Sequence, residues 1–170
     1  MYKVLISILC STLCQFSLAQ DAAELEKRHG FKDIKLEANI DSVQGVKLKK
    51  EFKENDEFDA KLYTIDHPDY EKIGDVKIKE VEVKAYKNLI YEISVIADKD
   101  PRLMKALESL FGKADYDIKN ETYFWKAENL VLKFRQHGKH HIEMLYFSYV
   151  IPKMMKEDKK QKIENIANDF

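Results

Sequence analysis

Apolar and polar residues alternate in two stretches of the chain, and each stretch predicts a pair of strands with one buried face. The first stretch covers residues 81–85 and 89–95, and the second covers residues 130–135 and a return strand over 141–151. A period of two residues is the pattern of a half-buried strand, and the short connections within each pair favour hairpins. The chain therefore predicts an antiparallel sheet built of hairpins.

The first hairpin has a predicted register. A three-residue loop that leaves Asn88 in the left-handed conformation brings both apolar sets to the same face. This register pairs Val83 with Tyr91 and Val81 with Ile93. Ile78 is out of phase with the rest of its strand, which predicts a bulge or a strand break near residues 79–80.

The second hairpin contains Gly138 and Lys139, which fit the two central positions of a type II′ turn. The corresponding register pairs Leu132 with Leu145 and Leu130 with Phe147, and Pro152 ends the return strand. In this register the outer face mixes apolar and basic side chains, namely Val131, Ile142, Met144, Tyr146, Lys133 and Arg135. Either a C-terminal helix or a partner would cover that face.

A helical pattern separates the two hairpins. Asp100 is a candidate N-cap, Pro101 suits the first helical position, and Gly112 ends the pattern. A core-facing apolar stripe recurs at helical spacing over Leu103, Leu107, Leu110 and Phe111. Residues 153–170 predict a lysine-rich C-terminal helix. Together these elements predict a two-layer α+β fold, in which helix 101–111 packs on the antiparallel sheet.

The segment before the first hairpin predicts shorter elements. Residues 22–28 indicate a short helix, and residues 31–36 indicate an extended segment. Residues 47–61 are densely charged and predict a solvated segment, which a strand over residues 62–65 follows.

The start of the chain has the pattern of a secretory signal peptide. Lys3 gives a positively charged beginning, residues 4–18 carry no charge, and Ala19 supplies the small residue before a cleavage site at Gln20. The uncharged stretch is shorter than the roughly 20 apolar residues of a membrane-spanning helix. We therefore expect an exported protein, periplasmic or secreted, with no transmembrane span after cleavage.

Cleavage divides the chain into a signal peptide over residues 1–19, a single α+β domain over residues 20–152, and a charged C-terminal helix over residues 153–170. Cys10 and Cys14 are the two cysteines, and both leave with the signal peptide. Each follows a leucine, whereas a bacterial lipoprotein signal has a small residue before the modified cysteine. The mature chain then has no thiol for catalysis, for a disulfide or for a metal.

Composition and motifs narrow the function further. The 170 residues include 29 lysines and arginines against 30 aspartates and glutamates, and this balance offers no broad basic surface for nucleic acid. The sequence contains no glycine-rich phosphate loop, no Gly-x-Ser-x-Gly motif and no His-Glu-x-x-His motif. We therefore expect no cofactor and no enzymatic activity.

Two groups of residues are candidates for a binding role. Exposed aromatic side chains favour interfaces, so the aromatic run and the outer hairpin face supply Tyr123, Phe124, Trp125, Met144 and Tyr146. His137 and His140 flank the predicted turn and face each other, while His141 points to the opposite side. Zinc is held by three or four ligands, so these two histidines are weak candidates for a metal site.

One string of residues resembles the beginning of small exported proteins of Gram-negative bacteria. It is a Gly-Phe-x-x-Ile-x-Leu pattern over residues 30–36, followed by residues 40–43. The later order is similar to the β-lactamase-inhibitor-protein-like fold, which small outer-membrane assembly lipoproteins share. That order is carried by residues 89–93, residues 110–113 and Trp125 before a hairpin. The resemblance implies a binding or scaffolding domain of the cell envelope.

The sequence as a whole therefore predicts an exported, non-enzymatic binding or scaffolding domain whose partner is an envelope protein or polymer. One alternative is a small-ligand carrier with a pocket between helix 101–111 and the sheet. Another is a metal-dependent hydrolase at the turn between His137 and His140.

Overall fold

The computed structural model of the chain describes residues 21–170. The predicted signal peptide, its cleavage site at Gln20 and both cysteines lie outside these residues. The described part is an α+β fold with an antiparallel sheet and a C-terminal helix, which confirms the predicted fold class. None of the helices in this part is long and apolar enough to pass through a membrane.

The strands follow one another along the chain as β1 (Gly30–Phe31), β2 (Ile34–Lys35), β3 (Val46–Glu54), β4 (Phe58–Ile65), β5 (Lys72–Ile73), β6 (Val76–Tyr86), β7 (Leu89–Asp98), β8 (Asp115–Asp117), β9 (Thr122–Lys126), β10 (Leu130–His137) and β11 (His141–Ser148). The main sheet has the order β3-β4-β6-β7-β11-β10-β9-β8, and all neighbours are antiparallel. Short β5 adds to β6, and β1 pairs with β2 in a separate small hairpin.

Three α-helices lie against the sheet: α1 (Ala22–Arg28), α2 (Pro101–Phe111) and α3 (Val150–Asn168). The first two helices pack on one face and share the main hydrophobic core with it, through Leu25, Leu103, Leu107 and Phe111. The first turns of α3 pack on the opposite face through Ile151 and Met155. Two 3-10 turns, Ile40–Ser42 and Pro68–Tyr70, complete the described elements.

The helix predicted over residues 101–111 is confirmed as α2. The Asp100 carboxylate accepts a hydrogen bond from the backbone N–H of Arg102 at 2.8 Å, and such a cap satisfies one of the free N–H groups in the first turn. Leu103, Leu107 and Phe111 are buried as expected. Leu110 is exposed instead, because the surface beneath it opens into a cavity.

The C-terminal helix begins at Val150, three residues before the predicted start, and the preceding strand ends at Ser148 instead of reaching residue 151. Tyr149 is the N-cap residue and makes no side-chain cap bond, but the Ser148 hydroxyl before it accepts a hydrogen bond from the Val150 N–H at 2.9 Å and so satisfies one free N–H of the first turn. Pro152 lies within that turn, where the missing N–H of a proline leaves no intrahelical bond unmade. Proline here belongs to a helix start and does not end the strand.

The register of the hairpin β6–β7 differs from the predicted one by two residues. Lys87 and Asn88 have left-handed φ values of 50° and 65°, and they form a two-residue turn in place of the predicted three-residue loop. Two left-handed residues match the twist of a tight hairpin. The observed pairs are Val83 with Ile93 and Val81 with Val95. A shift of two residues keeps each side chain on its face, so all four remain in the main core.

Two irregularities interrupt this hairpin. The register shift between Ile78 and Glu80 confirms the predicted bulge. A second shift, beside Ala85, leaves Tyr91 without an opposite residue and directs its ring to the face that α3 covers. The alternation predicts that Tyr91 lies on the same face as Val81 and Val83. Tyr91 instead packs with Ile151 on the opposite face.

The register of the hairpin β10–β11 differs by one residue, so the predicted outer face is wrong. His137 pairs with His141 across a three-residue loop, and the observed pairs include Leu132 with Tyr146 and Leu130 with Ser148. A shift of one residue exchanges the two faces of a strand. Met144 and Tyr146 consequently lie in the main core with Ile142.

The charged segment over residues 47–61 is a hairpin, not an irregular solvated segment. It comprises nearly all of β3 and the first half of β4, and the two strands are joined through the left-handed residues Asn55 and Asp56. β3 is an edge strand and carries four exposed lysines, at positions 47, 49, 50 and 53. Charged side chains on an edge discourage pairing with another chain, which accounts for a strand with so few apolar residues.

Candidate functional site

The predicted binding residues lie in different environments. Trp125 is fully buried, and its Nε1 donates a hydrogen bond at 2.7 Å to the carbonyl oxygen of the residue after α2. Phe124 is half-buried, and Tyr123 is exposed. Met144 and Tyr146 are buried beneath α2. The structure therefore does not bring the five together, but it places two of them at the floor of a cavity.

That cavity has a volume of about 250 Å³ and lies between α2, the hairpin β1–β2 and the sheet. This is the place where the carrier alternative predicts a pocket. The helix side is apolar and is lined by Leu103, Ala106, Leu107, Leu110 and Phe111. Ligand pockets are typically concave and apolar with a few polar groups, so the polar groups of this cavity decide what it can hold.

The hairpin β1–β2 closes one side of the cavity because Gly30 allows a very close turn. Gly30 has a φ of 147°, and a Cβ atom there would lie 2.2 Å from the carbonyl oxygen of Ile34. The tight turn places Phe31 against Tyr146, with 6.4 Å between the ring centroids. The hairpin therefore contacts the tyrosine ring beside the cavity.

The Tyr146 hydroxyl is the unusual polar group at this site. The side chain is 5% exposed, yet no hydrogen-bond partner of its hydroxyl is found within residues 21–170. No fully enclosed side-chain nitrogen or oxygen in the described residues lacks a partner, so this oxygen reaches solvent through the cavity that it lines. Burial raises the pKa of Tyr146, and the nearby Arg28 guanidinium acts in the opposite direction.

The three other buried tyrosines differ from Tyr146 in this respect. Their hydroxyls donate hydrogen bonds to carboxylates at 2.6–2.9 Å, in the pairs Tyr70–Asp33, Tyr86–Asp158 and Tyr91–Glu54. Burial and the carboxylate together raise the pKa of Tyr86 to about 12. Since buried polar groups are normally paired, an unpaired hydroxyl that faces a cavity indicates a place for an external hydrogen-bond partner.

Three basic residues form the mouth of the cavity: Arg28, Lys32 and Lys35. The Lys35 ammonium donates to the carbonyl oxygens of Arg28 and Lys32 at 2.8 and 2.6 Å. The Lys32 ammonium donates to the carbonyl of Lys72 at 2.9 Å and to that of Asp69. Arg28 pairs with Glu24 at 2.7 Å. Backbone carbonyls thus hold both lysines in place without cancelling their charges.

The histidine turn differs from its prediction. His141, not His140, lies opposite His137 in the register, and its Nε2 is 3.6 Å from a carboxylate oxygen of Asp98. No group of three metal-capable side chains is found in the part of the chain that the structure describes. Glu143 is buried, and its carboxylate accepts hydrogen bonds from the Ser94 hydroxyl at 2.8 Å and from the Arg135 guanidinium. It therefore belongs to a polar cluster of three residues on the sheet.

Two other surface features lie outside the cavity. An open groove of about 670 Å³ lies at the ends of β3 and β4, and several of its charges are already paired, as Lys53 is with Asp59 at 2.9 Å. At the other end of the sheet, the rings of Tyr116 and Tyr123 are in contact, with centroids 4.6 Å apart and a tilt of 44° between the ring planes. These two residues are 47% and 41% exposed, and they lie on the short edge strand β8 and its neighbour β9.

Sequence reasoning did not find the basic residues of the cavity. Arg28, Lys32 and Lys35 belong to a short helix, a turn and a short strand, and the bonds of Lys32 to residues 69 and 72 reach a distant part of the sequence. The predicted register places Met144 and Tyr146 on the outer face, although they belong to the inner face. One sequence feature could have indicated a basic site here, namely that the three basic residues lie within five positions of Gly30 and Phe31.

Comparison with known proteins finds no matching family model, no similar curated protein and no similar solved structure. The resemblance to the β-lactamase-inhibitor-protein-like fold therefore stays a prediction.

The tyrosine hydroxyls differ in their expected effect on stability. Tyr91→Phe removes a 2.6 Å hydrogen bond to Glu54 and should lower the free energy of unfolding by about 1.5 kcal/mol. Tyr146→Phe removes no bond and should leave it within about 0.5 kcal/mol of the wild type. Urea denaturation of the mature chain measures both values. Equal losses in the two variants would mean that the Tyr146 hydroxyl has a partner in the free protein.

Proposed function

We propose that the chain is an exported, non-catalytic binding protein of the cell envelope, and that it holds a small molecule in the cavity beneath α2. The observation that carries this proposal is the Tyr146 hydroxyl, which belongs to a buried side chain, has no hydrogen-bond partner within residues 21–170 and opens into a cavity with apolar walls and a basic mouth. Because this hydroxyl reaches solvent through the cavity, a bound molecule with a hydrogen-bond acceptor can take the place of water there.

A binding role agrees better than catalysis with the way the reactive side chains are used. Ser148 donates a hydrogen bond to one oxygen of Glu37, and His29 contacts the other oxygen at 2.6 Å. The serine and the imidazole therefore do not meet, and the serine oxygen accepts the N–H of Val150 instead. Nucleophilic catalysis requires the hydroxyl and its base to be hydrogen-bonded to each other.

A second candidate function is recognition of an envelope protein or polymer, in agreement with the first expectation from the sequence. The exposed pair of Tyr116 and Tyr123, whose rings contact each other, favours it, since tyrosine is enriched in binding interfaces. The pair lies at the free end of the sheet, where β8 has an unpaired edge. This candidate and the cavity use different surfaces, so they can be tested separately.

Export is testable by N-terminal sequencing of the protein from the envelope fraction of its native host. We expect the mature chain to begin at Gln20, because Ala19 is the small residue before the predicted cleavage site. A chain that retains residues 1–19, or that stays in the cytoplasmic fraction, would contradict the proposal of export.

The cavity is testable by filling it. Ala106→Trp places a large ring in the cavity, whereas Ser109→Trp places the same ring on the exposed side of the same helix. Native mass spectrometry of protein purified from the host envelope should detect a bound small molecule in the wild type and in Ser109→Trp, and at least a tenfold lower occupancy in Ala106→Trp. Equal occupancy in both variants, or an empty wild type, would refute the carrier function.

The edge tyrosines are testable by crosslinking in the native host, followed by mass spectrometry. If they bind a protein partner, the double change Tyr116→Ser and Tyr123→Ser should remove most of the crosslinked species. Leu48→Ser is the matched control, because Leu48 is 54% exposed on the opposite edge of the sheet. An unchanged crosslinking pattern in the double variant would count against this surface.

A further inference from the structure

The charges around the cavity are of one sign. Arg28, Lys32 and Lys35 are the charged residues that line it, and no aspartate or glutamate is among the lining residues within 21–170. Neither lysine forms an ion pair in the described part of the chain, because their partners are neutral backbone carbonyls. Of the three residues, Arg28 alone forms an ion pair within residues 21–170, with Glu24 on α1. The mouth therefore carries an excess of positive charge.

The basic groups also retain hydrogen-bonding capacity. An ammonium has three N–H donors, and Lys32 and Lys35 each use two of them on carbonyl oxygens. The Arg28 guanidinium uses its Nε toward Glu24, which leaves its terminal nitrogens available. The three basic residues and Tyr146 line the same cavity.

The remaining surface sets the size and character of the other end of a ligand. The wall and floor are apolar, through residues such as Leu107, Phe111 and Met144. The volume of about 250 Å³ is below the roughly 300–1,000 Å³ of pockets for drug-sized ligands. Such a space suits a single medium-length chain or one ring system, and it is too small for a two-chain lipid.

From this combination we propose that the cavity binds a free anionic amphiphile, namely a single medium-length acyl or aryl group that ends in a carboxylate. The apolar part lies between α2 and the floor, and the carboxylate accepts hydrogen bonds from Arg28, Lys35 and the Tyr146 hydroxyl. This inference rests on the proposed carrier function and specifies its ligand. A carboxylate supplies acceptors only, which matches a site made of donors.

The test compares three probes that share a ten-carbon chain: decanoate, decanol and decyltrimethylammonium. The two ions are used below their micelle concentrations, and decanol is used below its solubility limit. Isothermal titration calorimetry with the full mature chain should give a dissociation constant for decanoate at least tenfold lower than for decanol. The decyltrimethylammonium cation should bind more weakly than either, because the mouth is positively charged. Phosphatidylglycerol vesicles form a fourth arm, and we expect no co-sedimentation of the protein with them.

Two variants locate the carboxylate. Arg28→Met should weaken decanoate binding by about tenfold, the effect of one charge-assisted hydrogen bond, and should leave decanol binding unchanged. Arg102→Met is the matched control, since Arg102 is an exposed arginine of α2 outside the cavity. Tyr146→Phe, which removes no internal hydrogen bond, should weaken decanoate binding by several-fold and keeps the test valid if Arg28→Met fails to fold.

The possible outcomes separate the two proposals. Equal binding of decanoate and decanol, with no effect of Arg28→Met, would overturn the anionic ligand and leave the carrier function standing. Binding of none of the probes, together with an empty wild-type protein in native mass spectrometry, would overturn both. Binding to phosphatidylglycerol vesicles without binding of free decanoate would assign the basic mouth to a membrane surface and overturn the free acid.

Discussion

The pairing of β11 with β7 is the interaction on which the rest of the structure depends. β3, β4, β6 and β7 form one run of neighbouring strands, β8 to β11 form a second run, and this pairing joins the two runs into one sheet. Its register sets Tyr146 opposite Ile93 and Met144 opposite Val95, on the face that α2 covers. The floor of the cavity is therefore made where the two runs meet, and it could not form in either run alone.

Much of the fold was predictable from local signals, because those signals act over a few residues. The Asp100 cap followed by Pro101 defines the start of α2, and alternation defines the strands of both main hairpins. Register was less predictable, since it depends on turn geometry. In β6–β7 the predicted and observed registers differ by two residues, so the strand faces predicted to be buried still face the core. In β10–β11 the error was one residue, and it exchanged the inner and outer faces around Tyr146.

The candidate site was predictable only in outline. A pocket between helix 101–111 and the sheet follows from placing a helix on a sheet, but its chemistry comes from contacts between distant residues. Lys32 is held by the carbonyls of residues 69 and 72, which no pattern near residue 32 indicates. The predicted register puts Tyr146 on the outer face of the hairpin. The observed register of β11 puts it on the inner face, where it lines the cavity. Sequence periodicity assigns a face to a residue but gives no information on which buried hydroxyl lacks a partner.

Two features of the cavity determine what a ligand would gain there. The Tyr146 hydroxyl has no hydrogen-bond partner within residues 21–170 and opens into the cavity, so an acceptor bound there would take the place of water at this donor. The lysines at the mouth are already ordered by backbone carbonyls, so the entropic cost of fixing them is met on folding and not on binding. A ligand acceptor that reached both groups would therefore gain hydrogen bonds at a low entropic cost. Because Lys32 also ties β1–β2 to the region around β5, such a ligand would stabilise the N-terminal hairpin that forms one wall of the cavity.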